Sequence, residues 1–326
     1  MVALFKDRSP VAIIWLILLS LIVHSHFLIN FTGVQASGQD GLFSILLKNY
    51  IAPLNAVVVL IIYHVVIIVQ AMRLNYLFSE NRMYNQPNYL AAMVYILLTG
   101  IFKEWNALTP ALLDNILVIW LFAKTVQLYN APNPKTVLFN TGLIIGISIL
   151  CYHPSALLIL VALFALLVVR PFNVTELLVL FMGVIAPYYF LASWLYLSDE
   201  LQTISRYIPV WQLNLPDTKV TGWFITTICI IIIILLIGLY YWQSESRRLL
   251  IHVRKNWGVL MVMLLVMLPI PFINKNVGID SLILWLIPAS PFIAKGFLAP
   301  RKNFLPNLMF LSLLLLGIAK NWGIVG

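Results

Sequence analysis

Long uninterrupted runs of apolar residues recur along the whole of this chain, and they constrain its fold more than any other feature. Most of these runs have about 17 to 22 residues, the length at which an α-helix crosses roughly 30 Å of hydrocarbon. Membrane β-barrels instead require alternating segments of about ten residues. Because 62% of the residues are hydrophobic and only 10% are charged, we predict an all-α, polytopic integral membrane protein.

About eleven spans can be placed along the chain, and they predict a single transmembrane helical domain over residues 1–326. Three of the runs are short, so about ten or twelve spans are also compatible with the pattern. The predicted spans are residues 11–28, 53–72, 88–102, 110–129, 137–152, 155–169, 174–197, 222–242, 257–273, 279–295 and 304–319.

Lysine and arginine are distributed unequally between the two sides that these spans define. Of the 20 such residues, fourteen lie on the side of the N-terminus and six on the other side. Since cytoplasmic segments carry an excess of these residues, the N-terminus is predicted to be cytoplasmic. The net charge of +9 is scattered over many short loops, so it reports topology and does not indicate a nucleic-acid partner.

Three polar segments stand out between the spans. Residues 40–49 predict an interfacial helix in the first outer loop, with Asp40 as its N-cap. Residues 198–208 predict a second interfacial helix, because Ser198 precedes two acids and apolar residues recur at helical spacing. Residues 243–256 predict a basic cytoplasmic loop. That loop either fixes the topology or contacts anionic lipid or a partner.

Acidic residues of the outer face are the first candidates for chemistry. Asp40 could act as a general base towards a hydroxyl or bind a divalent cation, and its alternative role is an ordinary helix cap. Asp114 lies about one turn into the fourth span, where carboxylates are costly. Its shallow position predicts that it reaches water. Glu104 and Lys103 are its predicted neighbours, and a structural ion pair is the alternative.

Two further residues complete the predicted site. His153 lies in the turn at residues 152–155, which should present it at the outer surface. Arg206 lies on the outer side, although most basic residues lie on the inner side, and it could hold a lipid phosphate. Its alternative role is simple solvation or pairing to Gln202. Histidine spacing gives no metal site: His24 and His26 are about 200° apart on a helix, and His64 suits a hydrogen bond between helices.

The layout of an inner N-terminus, a first outer loop with Asp40 and an interfacial helix, and closely spaced spans over residues 110–171 resembles the C-type glycosyltransferases. That resemblance covers residues 11–197 and implies a polyprenyl-phosphate-linked sugar as substrate, with Asp40 at the catalytic acid position. Asp40 has no adjacent second acid, and the turn at 152–155 lacks the family's charged sequence. The tail, residues 285–322, is similar to polytopic families of Bacteroidota inner membranes, which implies a bacterial inner membrane location.

Two functions therefore remain open from the sequence. In the first, the chain is an envelope glycosyltransferase in which Asp40 acts with Asp114 or His153, while Arg206 and Glu104 bind substrate. In the second, it is a non-catalytic membrane subunit of an envelope assembly, secretion or transport complex, with lipids and other membrane proteins as partners. A transporter with a site near His64 and Gln70 comes third, since the prolines do not fall into two matching halves.

Overall fold

The computed structural model describes residues 2–7, 9–29, 33–36, 40–171, 173–210, 221–273, 278–298 and 304–323. Over these residues the chain is helical, apart from turns and one isolated bridge between Val34 and Leu108. Within the described ranges, eleven α-helices have ten or more residues. They are α1 (Pro10–Val23), α2 (Ala56–Glu80), α3 (Leu90–Thr99), α4 (Pro110–Gln127), α5 (Pro134–Cys151), α6 (Leu158–Val169), α7 (Val174–Leu197), α8 (Gly222–Ser246), α9 (Ile251–Met267), α10 (Leu286–Leu298) and α11 (Phe304–Asn321).

Each predicted span overlaps one of these helices, although bounds such as those of 257–273 and 279–295 differ by several residues, and the all-α prediction is confirmed. In the part of the chain that the structure describes, six helical segments are long and apolar enough to cross a membrane. They are α2, α5, α7, α8 and the segments Ile251–Phe272 and Ile279–Leu298. The helix α3 has only ten residues, and all of them are buried, which makes it a core helix surrounded by others. The number of crossings and the cytoplasmic side of the N-terminus stay predictions.

Local sequence sets the starts of several helices. A side-chain oxygen at the N-cap accepts a hydrogen bond from a backbone N–H of the first turn, which satisfies a group that has no partner inside the helix. Proline follows directly at Pro10 and Pro110, where its missing N–H costs nothing. The capping residues are Ser9, Asn55, Thr109, Asn173 and Thr221.

The loops of the first half and the last third of the chain meet at one end of the bundle, which we call the Asp40 end. There the backbone of Val34 pairs with Leu108. The indole of Trp105 donates a hydrogen bond to the Ile279 carbonyl at 3.0 Å, and the His153 N–H donates to the Asp40 carbonyl at 2.9 Å.

The opposite end, which we call the N-terminal end, is joined in the same way. The Tyr89 N–H donates to the Phe5 carbonyl at 2.8 Å, and the Lys255 ammonium donates to the Val169 carbonyl at 2.8 Å. These loops therefore meet at a second end of the fold, away from the Asp40 end.

Glycines bring α5 and α7 into backbone contact, and this is the most extensive contact between any two helices of the described structure. Gly142 and Gly146 lie four residues apart on α5 and face α7. A Cβ added at Gly142 would lie 2.1 Å from the Leu180 carbonyl oxygen, and one at Gly183 would lie 2.3 Å from that of Phe139. Small residues at such spacing let membrane helices approach closely.

The basic loop and the second interfacial helix both differ from their predicted form. The predicted basic loop over residues 243–256 is wrong in extent, because α8 continues to Ser246 and α9 begins at Ile251. Backbone hydrogen bonding carries both helices past the end of the apolar run, and only residues 247–250 lie between them. The predicted helix at 198–208 is found as the 3-10 helix Leu201–Tyr207.

Candidate functional site

Asp114 is a carboxylate enclosed in the protein near the Asp40 end. It lies about one turn into α4, whose start is fixed by Thr109 and Pro110. The Ser148 hydroxyl lies 2.8 Å from each carboxylate oxygen, and the Ser155 hydroxyl donates a short hydrogen bond to Oδ2. The prediction that Asp114 reaches water is wrong, since its exposed fraction is 0%. The turn after α5 covers it, and a buried carboxylate needs such donors.

His153 is also buried, against the prediction that the turn at residues 152–155 presents it at the surface. Its exposed fraction is 6%, because the backbone at Asp40 lies across the turn and accepts a hydrogen bond from the His153 N–H. Among the described residues, the ring Nε2 of His153 has no hydrogen-bond partner. The turn itself continues as the 3-10 helix His153–Leu157, which delivers Ser155 to Asp114.

Gly41 holds the first outer loop against the end of α5. Its φ of 122° is a conformation that glycine adopts without strain, and an added Cβ would lie 2.5 Å from the Cys151 carbonyl oxygen. The helix Leu42–Leu46 and the π-helical turn Leu47–Ile51 follow. The prediction that Asp40 caps this helix is wrong, since Gly41 is the N-cap residue and no side chain caps it.

Replacement of Gly41 with alanine is expected to destabilise the protein by about 2–3 kcal/mol, because both the backbone conformation and the contact with Cys151 exclude a side chain. Thermal unfolding in a mild detergent measures the change. Gly222→Ala is the control, since nothing lies within 4 Å of the added Cβ there. Equal stability of the two variants would contradict the close contact.

Three carboxylates from distant parts of the sequence lie near enough to Tyr152 to act on its phenol, and we call them the acidic cluster: Asp40, Asp114 and Asp280. Burial raises the pKa of the Tyr152 phenol well above its ordinary value, the nearby carboxylates of Asp280, Asp40 and Asp114 raise it further, and Ser281 opposes the rise. The phenol therefore stays protonated, and within the described residues its oxygen has no hydrogen-bond partner.

The members of the acidic cluster differ in access to water. Asp114 is enclosed and hydrogen-bonded, so it positions Ser148 and Ser155. Asp40 has an exposed fraction of 8%, and Asp280 is partly exposed at the start of the 3-10 helix Ile279–Trp285. Asp40 is therefore nearly as buried as His153, and Asp280 is the member of the cluster that is open to a substrate at this end. The sequence placed Asp280 on the outer face but gave no reason to join it to Asp40, from which 240 positions separate it.

The two predicted substrate-binding residues are exposed. Glu104 lies on the 3-10 helix Lys103–Trp105, and Arg206 lies on Leu201–Tyr207. Their roles stay predictions. Within the described residues, no three His, Cys, Asp or Glu side chains converge as metal ligands, and a divalent cation at Asp40 also stays a prediction.

The histidines near the middle of the bundle link helices, as predicted for His64. The hydroxyl of Ser20 lies 3.0 Å from His64 Nδ1, and the rings of His24 and His64 are 5.6 Å apart. His26 instead lies edge-on to Trp322 at 6.2 Å, so His24 and His26 face different sites, as their spacing predicts.

Gln70, the other residue of the transporter hypothesis, is held in the core by its neighbours. Its amide donates to the Leu112 carbonyl at 2.6 Å, and its Oε1 accepts from the Tyr95 hydroxyl at 2.6 Å. Asn115 in turn donates to the Tyr95 oxygen at 3.1 Å. Because both ends of the amide are used between helices, Gln70 has a structural role in the fold.

Comparisons with protein-family models, with curated proteins and with solved structures find no match to this chain. The class of protein therefore follows from the fold and the site alone. The chain is an all-helical protein with the apolar helices of a multi-pass membrane protein, and an acidic cluster lies at one end of its bundle.

Proposed function

We propose that the protein is a membrane-embedded transferase that uses a polyprenyl-phosphate-linked sugar at the Asp40 end. The observation that carries this proposal is the acidic cluster, in which the buried Asp40 and the partly exposed Asp280 accompany an enclosed, hydrogen-bonded Asp114. A second acid, absent next to Asp40 in the sequence, is thereby supplied by Asp280. The helical segment 42–51 that follows Asp40 also suits the interfacial helix of such enzymes.

The reaction that suits these groups needs one base and a good leaving group. Asp40 accepts the proton of an acceptor hydroxyl, whose oxygen attacks the anomeric carbon of the sugar. The bond from that carbon to the lipid phosphate oxygen breaks, and the polyprenyl phosphate leaves with the bonding electrons. Asp280 supports Asp40 as a second carboxylate, and Arg206 is the proposed partner of the leaving phosphate.

The proposed location is a bacterial inner membrane with the Asp40 end outside. At the N-terminal end, Arg170 pairs with Glu176 and Lys255 binds a backbone carbonyl of the turn before α7. Arg247 and Arg248 are exposed between α8 and α9. Such an excess of basic residues is typical of the cytoplasmic side, which leaves the acidic cluster on the opposite face.

Asp40→Asn is expected to reduce sugar transfer about 100-fold or more, because an amide cannot accept the proton. The measurement is transfer from a radiolabelled polyprenyl-phosphate sugar in native membranes that contain each variant at equal amounts. Asp199→Asn is the matched control, since Asp199 is exposed and has a φ of 57°, which asparagine tolerates. An unchanged rate in Asp40→Asn would refute the proposed base.

A second candidate function is that of a non-catalytic subunit in an envelope assembly, secretion or transport complex. The favouring observation is the end of α7, where Tyr189, Phe190, Trp194 and Tyr196 are 67–70% exposed. Aromatic side chains are enriched at protein interfaces. Purification in mild detergent distinguishes the two functions: a stoichiometric partner that is lost in a Tyr189→Ala/Trp194→Ala variant supports the subunit, and a lone chain carrying lipid-linked sugar supports the transferase.

A further inference from the structure

Lys295 carries a charge that is completely enclosed at the N-terminal end. It lies on α10 near the carboxyl end of that helix, and its side chain is 0% exposed. Its ammonium donates to Glu245 Oε2 at 2.8 Å and lies 5.6 Å from the ring centre of Tyr84 and 5.8 Å from that of Trp257. An ionisable group in such a place is costly and usually functional.

The surroundings of Lys295 supply more donors than Glu245 uses. Trp257 is fully buried and stacks near Phe292 at 5.0 Å, while Trp242 lies 5.4 Å from the same ring. Among the described residues, neither indole N–H has a hydrogen-bond acceptor. A phosphate group has several strong acceptor oxygens and could replace the single carboxylate on the Lys295 ammonium, which lies 5.8 Å from the ring centre of Trp257.

Glu245 is the partner of Lys295 that a bound anion could displace. Its side chain is 34% exposed, so it can turn out into water. It lies in the last turn of α8, which ends at Ser246, where the helix macrodipole disfavours a negative charge. The next residues, Arg247 and Arg248, are exposed cations that can attract an anion to the same place.

An apolar groove lies on α8 and ends at Tyr241, about one helical turn before Glu245. It has a volume of about 420 Å³ and lies between α8 and the start of α11. Its lining residues are Ile233, Leu236, Ile237, Tyr240, Tyr241 and Leu305. Ile233, Ile237, Tyr241 and Glu245 follow one another at intervals of four, so they share one face of the helix. An acyl chain in the groove would bring its headgroup to Glu245 and Lys295.

From these observations we propose a binding site for one anionic phospholipid at the N-terminal end, with an acyl chain in the groove of α8 and the headgroup phosphate on Lys295. Glu245 occupies the place of the phosphate when lipid is absent and turns outward when it binds. The site lies at the opposite end of the bundle from the acidic cluster, so it is independent of the proposed transferase.

The test is lipid binding to the full chain in detergent, measured by native mass spectrometry with dioleoyl phosphatidylglycerol, dioleoyl phosphatidylcholine and inorganic phosphate as separate probes. Glu245→Gln is expected to strengthen phosphatidylglycerol binding about tenfold, because the competing carboxylate is removed. Lys295→Met/Glu245→Gln, which removes both charges together, is expected to weaken it about tenfold. Phosphatidylcholine carries a choline cation beside its phosphate, so it is expected to bind more weakly than phosphatidylglycerol and to change in the same direction in the two variants.

Two controls define the geometry. Lys103→Gln removes an exposed cation at the Asp40 end and is expected to leave phosphatidylglycerol binding unchanged. Leu236→Trp fills the groove and should weaken dioleoyl phosphatidylglycerol while sparing the short-chain dihexanoyl lipid. The proposal is overturned if Glu245→Gln fails to strengthen binding, if the double variant binds as the wild type does, or if inorganic phosphate binds as tightly as the lipid.

Discussion

Asp114→Ala is expected to lower the free energy of unfolding by about 3 kcal/mol, because two buried hydroxyls lose their acceptor at once. Ser148 and Ser155 are both 0% exposed, so water cannot replace the carboxylate without entering the bundle. The deleted side chain also leaves a cavity between α4 and α5, which adds to the loss. Thermal unfolding in mild detergent should show a fall in Tm of about 4 °C.

Asp114→Asn separates loss of the acceptor from loss of volume. The amide keeps one oxygen that can accept from a serine hydroxyl, so this variant is expected to lose about half as much stability. Asp199→Asn, at an exposed acid, should be neutral. If alanine and asparagine at position 114 proved equally stable, the hydrogen bonds from the two serines would not be what holds the turn after α5 in place.

Gly183→Leu is expected to cost about 4 kcal/mol or more, because the side chain would occupy the space of the α5 backbone. An added Cβ is already 2.3 Å from the Phe139 carbonyl oxygen and 3.0 Å from the Gly142 Cα. The helices can relieve this overlap only by separating, which removes the contacts on which α7 depends. Of the six candidate membrane segments in the described chain, α7 is the least buried, at 17%, and its few other contacts cannot compensate.

Gly142→Ala gives a milder test of the same contact in case the leucine variant does not fold. Its Cβ would be 2.1 Å from the Leu180 carbonyl oxygen, so destabilisation by about 2 kcal/mol is expected despite the better helix propensity of alanine. The matched variant Gly222→Ala meets nothing within 4 Å and should be neutral or slightly more stable. Similar melting of these two alanine variants would contradict a close approach of α5 and α7.

The helices themselves were predictable because each is specified within its own stretch of sequence. The apolar run sets the length, and a residue such as Thr109 followed by Pro110 sets the start. Predictions from local sequence fail where a contact with a distant part of the chain sets the conformation. The sequence marks Asp40 as a cap, but the N-cap is Gly41 with a φ of 122°, a conformation imposed by contact with the end of α5.

Much less of the candidate site was predictable. Asp40, Asp114 and His153 were recognised from their positions near helix ends, yet their burial was not, because it depends on which loop covers them. Ser148 is 34 positions from Asp114, and Ser155 is 41 positions away. Neither serine has a local pattern that marks it as a partner, and the same holds for Asp280.

The sequence by itself determined that this is a helical protein with the apolar segments of a membrane protein. Hydrocarbon leaves no water to satisfy backbone groups, so each apolar run must satisfy them within its own helix. Only the tertiary structure decided that Asp40, Asp114 and Asp280 meet around Tyr152, and that Lys295 is enclosed at the other end. These contacts join residues that are far apart in the chain. They depend on how the helices pack, which is determined by glycine contacts and loop geometry.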